Sequence, residues 1–186
     1  MHVILIGYRG TGKSAVGKRL AEKLKAPFYD TDELIERGAA RSIRDVVAEK
    51  GWAYFREKEG EIIRKLAVLQ GGVVATGGGA VLDQSNCDIL KEQGLLIWLT
   101  AEVMTMVERI GNDAASGKRR PPLLHDDTIR DTEAALKERL PIYKRLADFS
   151  IDTTGKSIDQ IVKAVCQFLH GTGSFVKKES TCQEIP

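Results

Sequence analysis

The clearest chemistry in this chain lies near its N-terminus. Residues 7–14 have the sequence GYRGTGKS and directly follow the apolar run 3–6. A G-x-x-x-x-G-K-S pattern between a buried strand and a helix is typical of a loop that binds nucleotide phosphates, because glycines let backbone N–H groups and the helix N-terminus approach the anion closely. The Lys13 ammonium can reach the β- and γ-phosphates, and the Ser14 hydroxyl can bind Mg²⁺. A glycine-rich turn without a ligand is the alternative, and it would not require the lysine.

Two carboxylates follow the second short strand that we expect along the chain. Asp30 and Asp32 flank Thr31, directly after Phe28-Tyr29. Ligands in open α/β sheets bind at the carboxyl ends of strands, which is where this pair falls. One carboxylate can support a Mg²⁺ shell, and the other can accept a hydrogen bond from a substrate hydroxyl and orient it. The alternative is that either Asp30 or Asp32 is only the N-cap of the next helix, since Asp32 precedes Glu33-Leu34-Ile35.

A third strand opens onto three consecutive glycines, Gly77, Gly78 and Gly79. The strand does not end in the carboxylate that a Walker B strand would supply. We expect the glycines to present bare backbone N–H groups to a ligand, since they end a strand at the edge where ligands bind. A flexible turn is the alternative.

Two arginines lie within stretches of helical periodicity, and residue types leave two interpretations for each. Arg56 and Glu59 are three residues apart, so they can form a surface ion pair or contribute to a site. Arg139 can be a solvated charge, or it can face the ligand if Pro141 breaks the helix and places Arg139 at a helix end.

Residues 111–127 contain two glycines and two prolines and have no clear periodicity. Loops of this length inside a compact domain are often active-site lids. The segment carries Lys118-Arg119-Arg120, and Arg109 precedes it. A basic lid over a triphosphate would exclude water and add positive charge near the transferring group. A surface loop with solvated charges is the alternative.

The elements that must position these residues alternate between short apolar runs and helical patterns, which predicts a parallel sheet covered by helices. The strand candidates are 2–6, 27–29, 72–75, 95–99 and 149–152. The helix candidates are 14–25, a stretch opened by a capping box at 42–45, 54–69, 85–93, 101–110 and 158–169. We expect Thr100 and Ser157 to be N-caps and Gly94 to be a C′ glycine. Residues 1–169 should form one domain, and 170–186 should form a flexible tail.

The composition argues against several classes of protein. The chain has 186 residues and a formal net charge of +2, which favours neither a nucleic-acid nor a membrane partner. No apolar run approaches the roughly 20 residues needed to cross a bilayer, and the N-terminus lacks a signal-peptide pattern. Its three cysteines and three histidines are too scattered for a disulfide framework or a zinc site. We expect a cytoplasmic protein that works as a monomer.

Together and in this order, the motifs resemble those of shikimate kinases over residues 1 to about 169. They are GYRGTGKS at 7–14, Asp-x-Asp at 30–32, Phe-Arg-x-x-Glu at 55–59, Gly-Gly-Gly at 77–79, Arg120-Pro121, and Arg-x-Pro-x-Tyr at 139–143. The resemblance implies an α/β, three-layer P-loop kinase fold, whose five-stranded parallel sheet has the order 2-3-1-4-5, with helices on both faces and a lid loop. It also implies transfer of the γ-phosphoryl group of ATP to the 3-hydroxyl of shikimate, a step towards chorismate and the aromatic amino acids.

The resemblance further implies roles for individual residues. The expected catalytic residues are Lys13, Asp32 and Arg120, with Arg119 as the alternative to Arg120. Ser14 and Asp30 are expected to hold Mg²⁺. The expected nucleotide-binding residues are Gly10, Thr11, Gly12, Lys13, Ser14, Ala15, Arg109 against adenine, and Arg120 at the γ-phosphate. The expected shikimate-binding residues are Asp32, Arg56, Gly77, Gly78, Gly79 and Arg139, with the two arginines on the carboxylate.

Three other functions compete with this interpretation. A gluconate or nucleoside-monophosphate kinase would share the phosphate loop, but two arginines directed at a carboxylate argue against a neutral acceptor, and Asp32 argues against an acceptor phosphate. A GTP-dependent switch protein needs an Asn-Lys-x-Asp motif, which the sequence lacks. An inactive nucleotide-binding scaffold is disfavoured because Lys13, Ser14 and Asp32 are all present.

Overall fold

The fold is built around one sheet whose paired strands all run parallel. The computed structural model of the chain describes residues 1–112 and 128–173. The strands are β1 (His2–Ile6), β2 (Phe28–Asp30), β3 (Gly72–Ala75), β4 (Gly94–Thr100) and β5 (Phe149–Asp152). Their order is β2-β3-β1-β4-β5, which confirms the topology that the resemblance implied.

Helices cover both faces of this sheet. They are α1 (Lys13–Leu24), α2 (Thr31–Ala39), α3 (Ile43–Ala67), α4 (Gln84–Gln93), α5 (Val103–Asn112), α6 (Thr128–Leu146) and α7 (Ile158–Gly171). A 3₁₀ turn spans Ala80–Leu82 after β3. Every predicted strand and every predicted helix is present in the structure, with boundaries that differ by a few residues.

Alternate residues of β1 to β4 enter two separate apolar cores, because successive side chains of a strand point to opposite faces. Val3 and Leu5 pack with α1 and α7, through residues such as Leu20 and Val165. Ile4 and Ile6 pack on the other face with α3, α4 and α6. This arrangement is the three-layer architecture that the resemblance implied. It explains the continuous apolar run of β1, since a strand covered on both faces needs no polar side.

The structure corrects two predicted helix boundaries. Gly94 directly follows the last residue of α4, but its φ of −177° is extended, and it begins β4 instead of forming a left-handed C′ cap. Thr100 is the last residue of β4, and α5 begins only at Val103, so Thr100 is not an N-cap. By contrast, Ser157 caps α7 in a complete capping box with Gln160.

The stretches predicted at 42–45 and 54–69 form one element, α3, which is interrupted at Gly51. The φ of Gly51 is 77°, a backbone angle that favours glycine and interrupts the helical course. Ser42 caps the start of α3 by accepting from the Asp45 amide, as predicted. The Asp45 carboxylate accepts from the Ser42 hydroxyl, which differs from the reciprocal backbone contact of a capping box.

The predicted lid and tail lie largely outside the described residues. Helix α5 continues to Asn112, so the first two residues assigned to the lid are helical, and 113–127 are not described. Helix α7 reaches Gly171, two residues beyond its predicted end. Within the described ranges, no helix has both the length and the apolar character needed to cross a membrane. Cys87 and Cys166 are buried free thiols.

We expect Gly94→Ala to lower the free energy of unfolding by about 1–3 kcal/mol. A Cβ at Gly94 would lie 2.2 Å from the carbonyl oxygen of its β1 partner His2, so the two strands would have to separate. Urea denaturation measures the change. Gly38→Ala is the matched control, because a Cβ there meets nothing within 4 Å. An equal effect of the two substitutions would contradict the close-approach argument.

Candidate active site

The phosphate loop joins β1 to α1, as the sequence predicted. Gly7, Gly10 and Gly12 have φ values of 141°, 76° and 90°, which L side chains rarely adopt. A Cβ at Gly7 would also lie 2.3 Å from the Leu99 carbonyl oxygen. The glycines are therefore needed to turn the chain tightly against β4 and to begin α1 at Lys13.

Lys13 lies folded over its own loop. Its ammonium donates hydrogen bonds to the carbonyl oxygens of Gly7 (2.7 Å) and Tyr8 (2.8 Å), and the side chain is largely buried. The cation is thus held at the centre of the loop, where a phosphate anion would be bound by the surrounding backbone N–H groups.

Ser14 and Asp30 form a pair of oxygen donors beside the loop. The Ser14 hydroxyl donates to Asp30 Oδ2 over 2.6 Å. Asp30 Oδ1 accepts from the amides of Asp32 and Glu33, so Asp30 is the N-cap of α2 and Asp32 lies within the first turn. The N-cap alternative is therefore wrong for Asp32 and correct for Asp30. A hydroxyl and a carboxylate fit Mg²⁺, which takes oxygen ligands and usually keeps several waters besides substrate phosphates.

The three glycines after β3 allow charged side chains to approach the backbone closely. A Cβ on Gly77 would lie 2.3 Å from Glu59 Oε1 and 3.0 Å from Asp32 Oδ1, and a Cβ on Gly79 would lie 2.2 Å from Arg56 Nη2. The Gly77 amide donates to Thr31 Oγ1, so this N–H group is already paired within the protein. The glycine segment is the meeting point of an acid from α2 with an acid and an arginine from α3.

Arg56 and Glu59 form an ion pair inside the site and not on the surface. Arg56 Nη1 donates to Glu59 Oε2 over 2.5 Å, and the Glu59 side chain is 0% exposed. Burial raises the pKa of Glu59, and the positive charge of Arg56 acts in the opposite direction. The Arg56 guanidinium also lies over the rings of Trp52 and Phe55, at 5.5 and 5.1 Å from their centroids. These contacts fix the direction of the guanidinium group.

Arg139 reaches the same glycines from α6. Its Nη1 donates to the Gly78 carbonyl oxygen over 3.2 Å, and the guanidinium lies 5.4 Å from the centroid of the Tyr8 ring. The buried Tyr143 hydroxyl donates to the same carbonyl over 2.6 Å, and burial raises the pKa of Tyr143. The backbone of Gly78 is thereby held between two side chains of one helix.

The predicted helix break at Pro141 is wrong, because α6 continues through Pro141 to Leu146. Proline removes one backbone hydrogen bond, because position 141 has no N–H group to donate to the carbonyl oxygen of Lys137. Both residues are exposed, so water can satisfy that carbonyl group. Arg139 therefore reaches the site from the body of a helix and not from its end.

One pocket collects these side chains, together with four residues that, like Glu59, did not figure among the expected site residues. Arg9, Ile43, Trp52 and Phe55 line it beside Asp32, Arg56, Glu59, Gly77, Gly78, Gly79 and Arg139. The sequence held a weak signal for two of them, since Arg9 is a cation inside the phosphate loop and Phe55 directly precedes Arg56. Ile43 and Trp52 have no signal of their own, because only the fold brings the two halves of α3 to this pocket.

Arg109 lies beside the phosphate loop, on the other side from this pocket's glycines. Its Nη1 donates to the Gly10 carbonyl (3.2 Å) and to Thr153 Oγ1 (2.9 Å), and its Nη2 donates to the Thr153 carbonyl (2.9 Å). The structure thus links the end of α5 to the phosphate loop and to the loop after β5. Arg119 and Arg120 lie outside the described residues, so the lid hypothesis stays a prediction.

Known proteins share both the sequence and the architecture. The profile of the shikimate kinase family matches residues 9–170. The chain is 49% identical over 172 residues to the shikimate kinase of Syntrophus aciditrophicus, with 88% of each chain covered. The structure matches the shikimate kinase from Acinetobacter baumannii in complex with shikimate, with a TM-score of 0.87, 29% identity, and coverage of 93% of this chain and 94% of that one. By its family profile, its identity to a shikimate kinase and its fold, the chain belongs to the shikimate kinase family.

Proposed function

We propose that this protein transfers the γ-phosphoryl group of ATP to the 3-hydroxyl group of shikimate, giving ADP and shikimate 3-phosphate for chorismate and aromatic amino acid biosynthesis. The observation that carries the proposal is a single pocket that Asp32, Arg56 and Arg139 line together with Arg9 of the phosphate loop. Membership of the family supports the same reaction. The similar structure from A. baumannii is a complex of shikimate kinase with shikimate.

The nucleotide would bind along the phosphate loop, through backbone groups of residues 10–15 and the Lys13 ammonium. Ser14 and Asp30 would hold Mg²⁺, which when bound neutralises charge on the β- and γ-phosphate oxygens. The edges of the Arg109 guanidinium are already bonded to Gly10 and Thr153, so its flat face is the part left to lie against adenine. By resemblance we also assign Arg120 to the γ-phosphate.

The acceptor would bind through opposite charges at two ends. Arg56 and Arg139 present two guanidinium forks, which suit the two oxygens of one carboxylate. Glu59 holds Arg56 in this position through its ion pair. At the other end, Asp32 would accept a hydrogen bond from the 3-hydroxyl and orient its oxygen towards the phosphate loop. The glycines 77–79 leave room for the ring of the acceptor.

The reaction then needs little covalent chemistry from the protein. The 3-hydroxyl oxygen forms a bond to the γ-phosphorus while the bond from that phosphorus to the β–γ bridging oxygen breaks. The electron pair of the broken bond stays on ADP, and the hydroxyl proton passes to the Asp32 carboxylate. Lys13 stabilises the charge on the phosphate oxygens, because it is preorganised in a site of restricted water access.

A coupled assay of ADP release tests this proposal directly. At fixed ATP and Mg²⁺, we expect ADP production that depends on shikimate and that is absent with gluconate or a nucleoside monophosphate as the acceptor. ADP release that is unchanged by shikimate, or a preference for one of the other acceptors, would reject the proposal. That the protein is a monomer, and that it acts in the cytoplasm, stay predictions.

Gly79→Ala is expected to raise the KM for shikimate by about 10-fold or more without changing the KM for ATP. The new Cβ would lie 2.2 Å from Arg56 Nη2, so the guanidinium would have to leave its ion pair with Glu59. Steady-state kinetics with each substrate varied in turn measures the KM for shikimate and the KM for ATP separately. The Gly38→Ala variant should keep both constants, and a rise in the KM for ATP alone would contradict the assignment of Arg56.

A further inference from the structure

Arg9 has no role in the reaction described above, yet it lies in the acceptor pocket. It is the residue of the phosphate loop between Tyr8 and Gly10, and its side chain lines the same cavity as Asp32 and Arg139. The side chain is only partly exposed. Among residues 1–112 and 128–173 it makes no hydrogen bond and no ion pair. A half-buried guanidinium in this state is a cation that a bound anion would stabilise.

The charges around the pocket support an anion next to Arg9. The pocket is lined by three arginines and by the two carboxylates Asp32 and Glu59, and Glu59 is paired with Arg56. One positive charge of the lining is therefore left unbalanced. Burial lowers the pKa of Arg9 most; Tyr8 acts in the opposite direction, and the charge of Arg139 lowers the pKa again. Two guanidinium groups that disfavour each other without a ligand become favourable partners once an anion lies between them.

The position of Arg9 distinguishes between the two anions of the reaction. A Cβ on Gly78 would lie 3.4 Å from the Arg9 amide nitrogen, whereas the neighbouring Gly79 approaches Arg56. The carbonyl oxygen of Tyr8, the residue before Arg9, accepts a hydrogen bond from the Lys13 ammonium. The backbone of Arg9 therefore lies on the phosphate-loop side of the pocket, next to the carbonyl group that binds Lys13.

Building on the proposed function, we propose that Arg9 is a catalytic residue that binds the phosphoryl oxygens during transfer and the 3-phosphate of the product. As the γ-phosphorus leaves the ADP oxygen and bonds to the acceptor oxygen, its three other oxygens carry negative charge. The Arg9 guanidinium donates to these oxygens, and it keeps the same contact with the phosphate ester that forms. Arg56 and Arg139 remain on the carboxylate throughout.

The test compares wild type, Arg9→Ala and Arg9→Lys. For Arg9→Ala we expect the single-turnover rate of phosphoryl transfer to fall about 10²-fold. In calorimetric titrations its affinity for shikimate 3-phosphate should fall about 10-fold or more, with shikimate affinity changed by less than about 3-fold. Arg9→Lys should recover part of both losses, because it restores the charge without the fork. Arg37→Ala removes an exposed arginine of α2 and should leave all three values unchanged.

Several results would overturn the proposal. An unchanged transfer rate in Arg9→Ala would do so, as would an equal loss of affinity for shikimate and its 3-phosphate, which would assign Arg9 to the carboxylate. Arg9 would have only a packing role if both variants lost the same rate and both had a lower midpoint of unfolding than wild type. Wild type that releases no ADP in response to shikimate would reject the proposed function as well. An active wild type with insensitive Arg9 variants would reject this inference alone.

Discussion

Lys13→Ala is expected to lower kcat by about 10³-fold or more while the protein stays folded. The Lys13 ammonium is bonded to two carbonyls of the phosphate loop, and in the proposed reaction it stabilises the charge on the γ-phosphoryl group. The substitution also removes its hydrogen bonds to the Gly7 and Tyr8 carbonyls, so we expect a loss of about 1–3 kcal/mol in stability. The coupled ADP assay gives kcat, and circular dichroism with urea denaturation gives the folded state.

Lys18→Ala is the control for this experiment, because Lys18 lies on the same helix in a partly exposed pair with Glu33. It should keep full activity, since an exposed ion pair contributes at most about 1 kcal/mol. Near wild-type turnover in Lys13→Ala would remove Lys13 from the chemistry. Loss of the folded state in Lys13→Ala would instead show that the two carbonyl contacts support the loop itself.

Arg139→Ala is expected to raise the KM for shikimate by about 10²-fold and to leave ATP binding intact. Its guanidinium lies in the acceptor pocket, bonded to the Gly78 carbonyl and stacked over Tyr8. Removal takes away one of the two forks assigned to the carboxylate and leaves the phosphate loop in place. Initial rates over a range of shikimate concentrations measure the effect, and titration with ADP and Mg²⁺ measures nucleotide binding.

Two further variants refine this prediction. Arg139→Lys should recover part of the lost affinity, because an ammonium keeps the charge but cannot bind two oxygens in the fork geometry. Arg145→Ala, an exposed position on the same helix, should leave both substrates unaffected. If the KM for shikimate does not change in Arg139→Ala, Arg139 does not belong to the acceptor site.

Sequence reasoning was accurate where the determinant is local. The phosphate loop, Ser157 as an N-cap and the strand runs depend on nearest neighbours, so each could be recognised in a short window. Gly94 shows where this approach fails. The boundary that it marks was correct, but the reason was wrong, because the glycine is required by the approach of His2 from another strand. The prediction of a helix break at Pro141 was also wrong, because the residue is exposed to solvent and α6 continues past it.

The order of residue types along the chain was enough to identify a phosphate-binding loop, an α/β sheet and the family resemblance, because these depend on spacing and periodicity. The sequence left two interpretations for each of the two arginines, a surface charge or a site residue, and only the tertiary structure decided between them. Arg56 and Gly79, like Arg139 and Gly78, lie far apart in the sequence, and they meet because α3 and α6 pack on the same face of the sheet, beside the loop that follows β3. The direction of a long side chain follows from the surfaces packed around it, and those surfaces come from distant segments. For this reason Arg9 became a candidate catalytic residue only once the pocket around it was known.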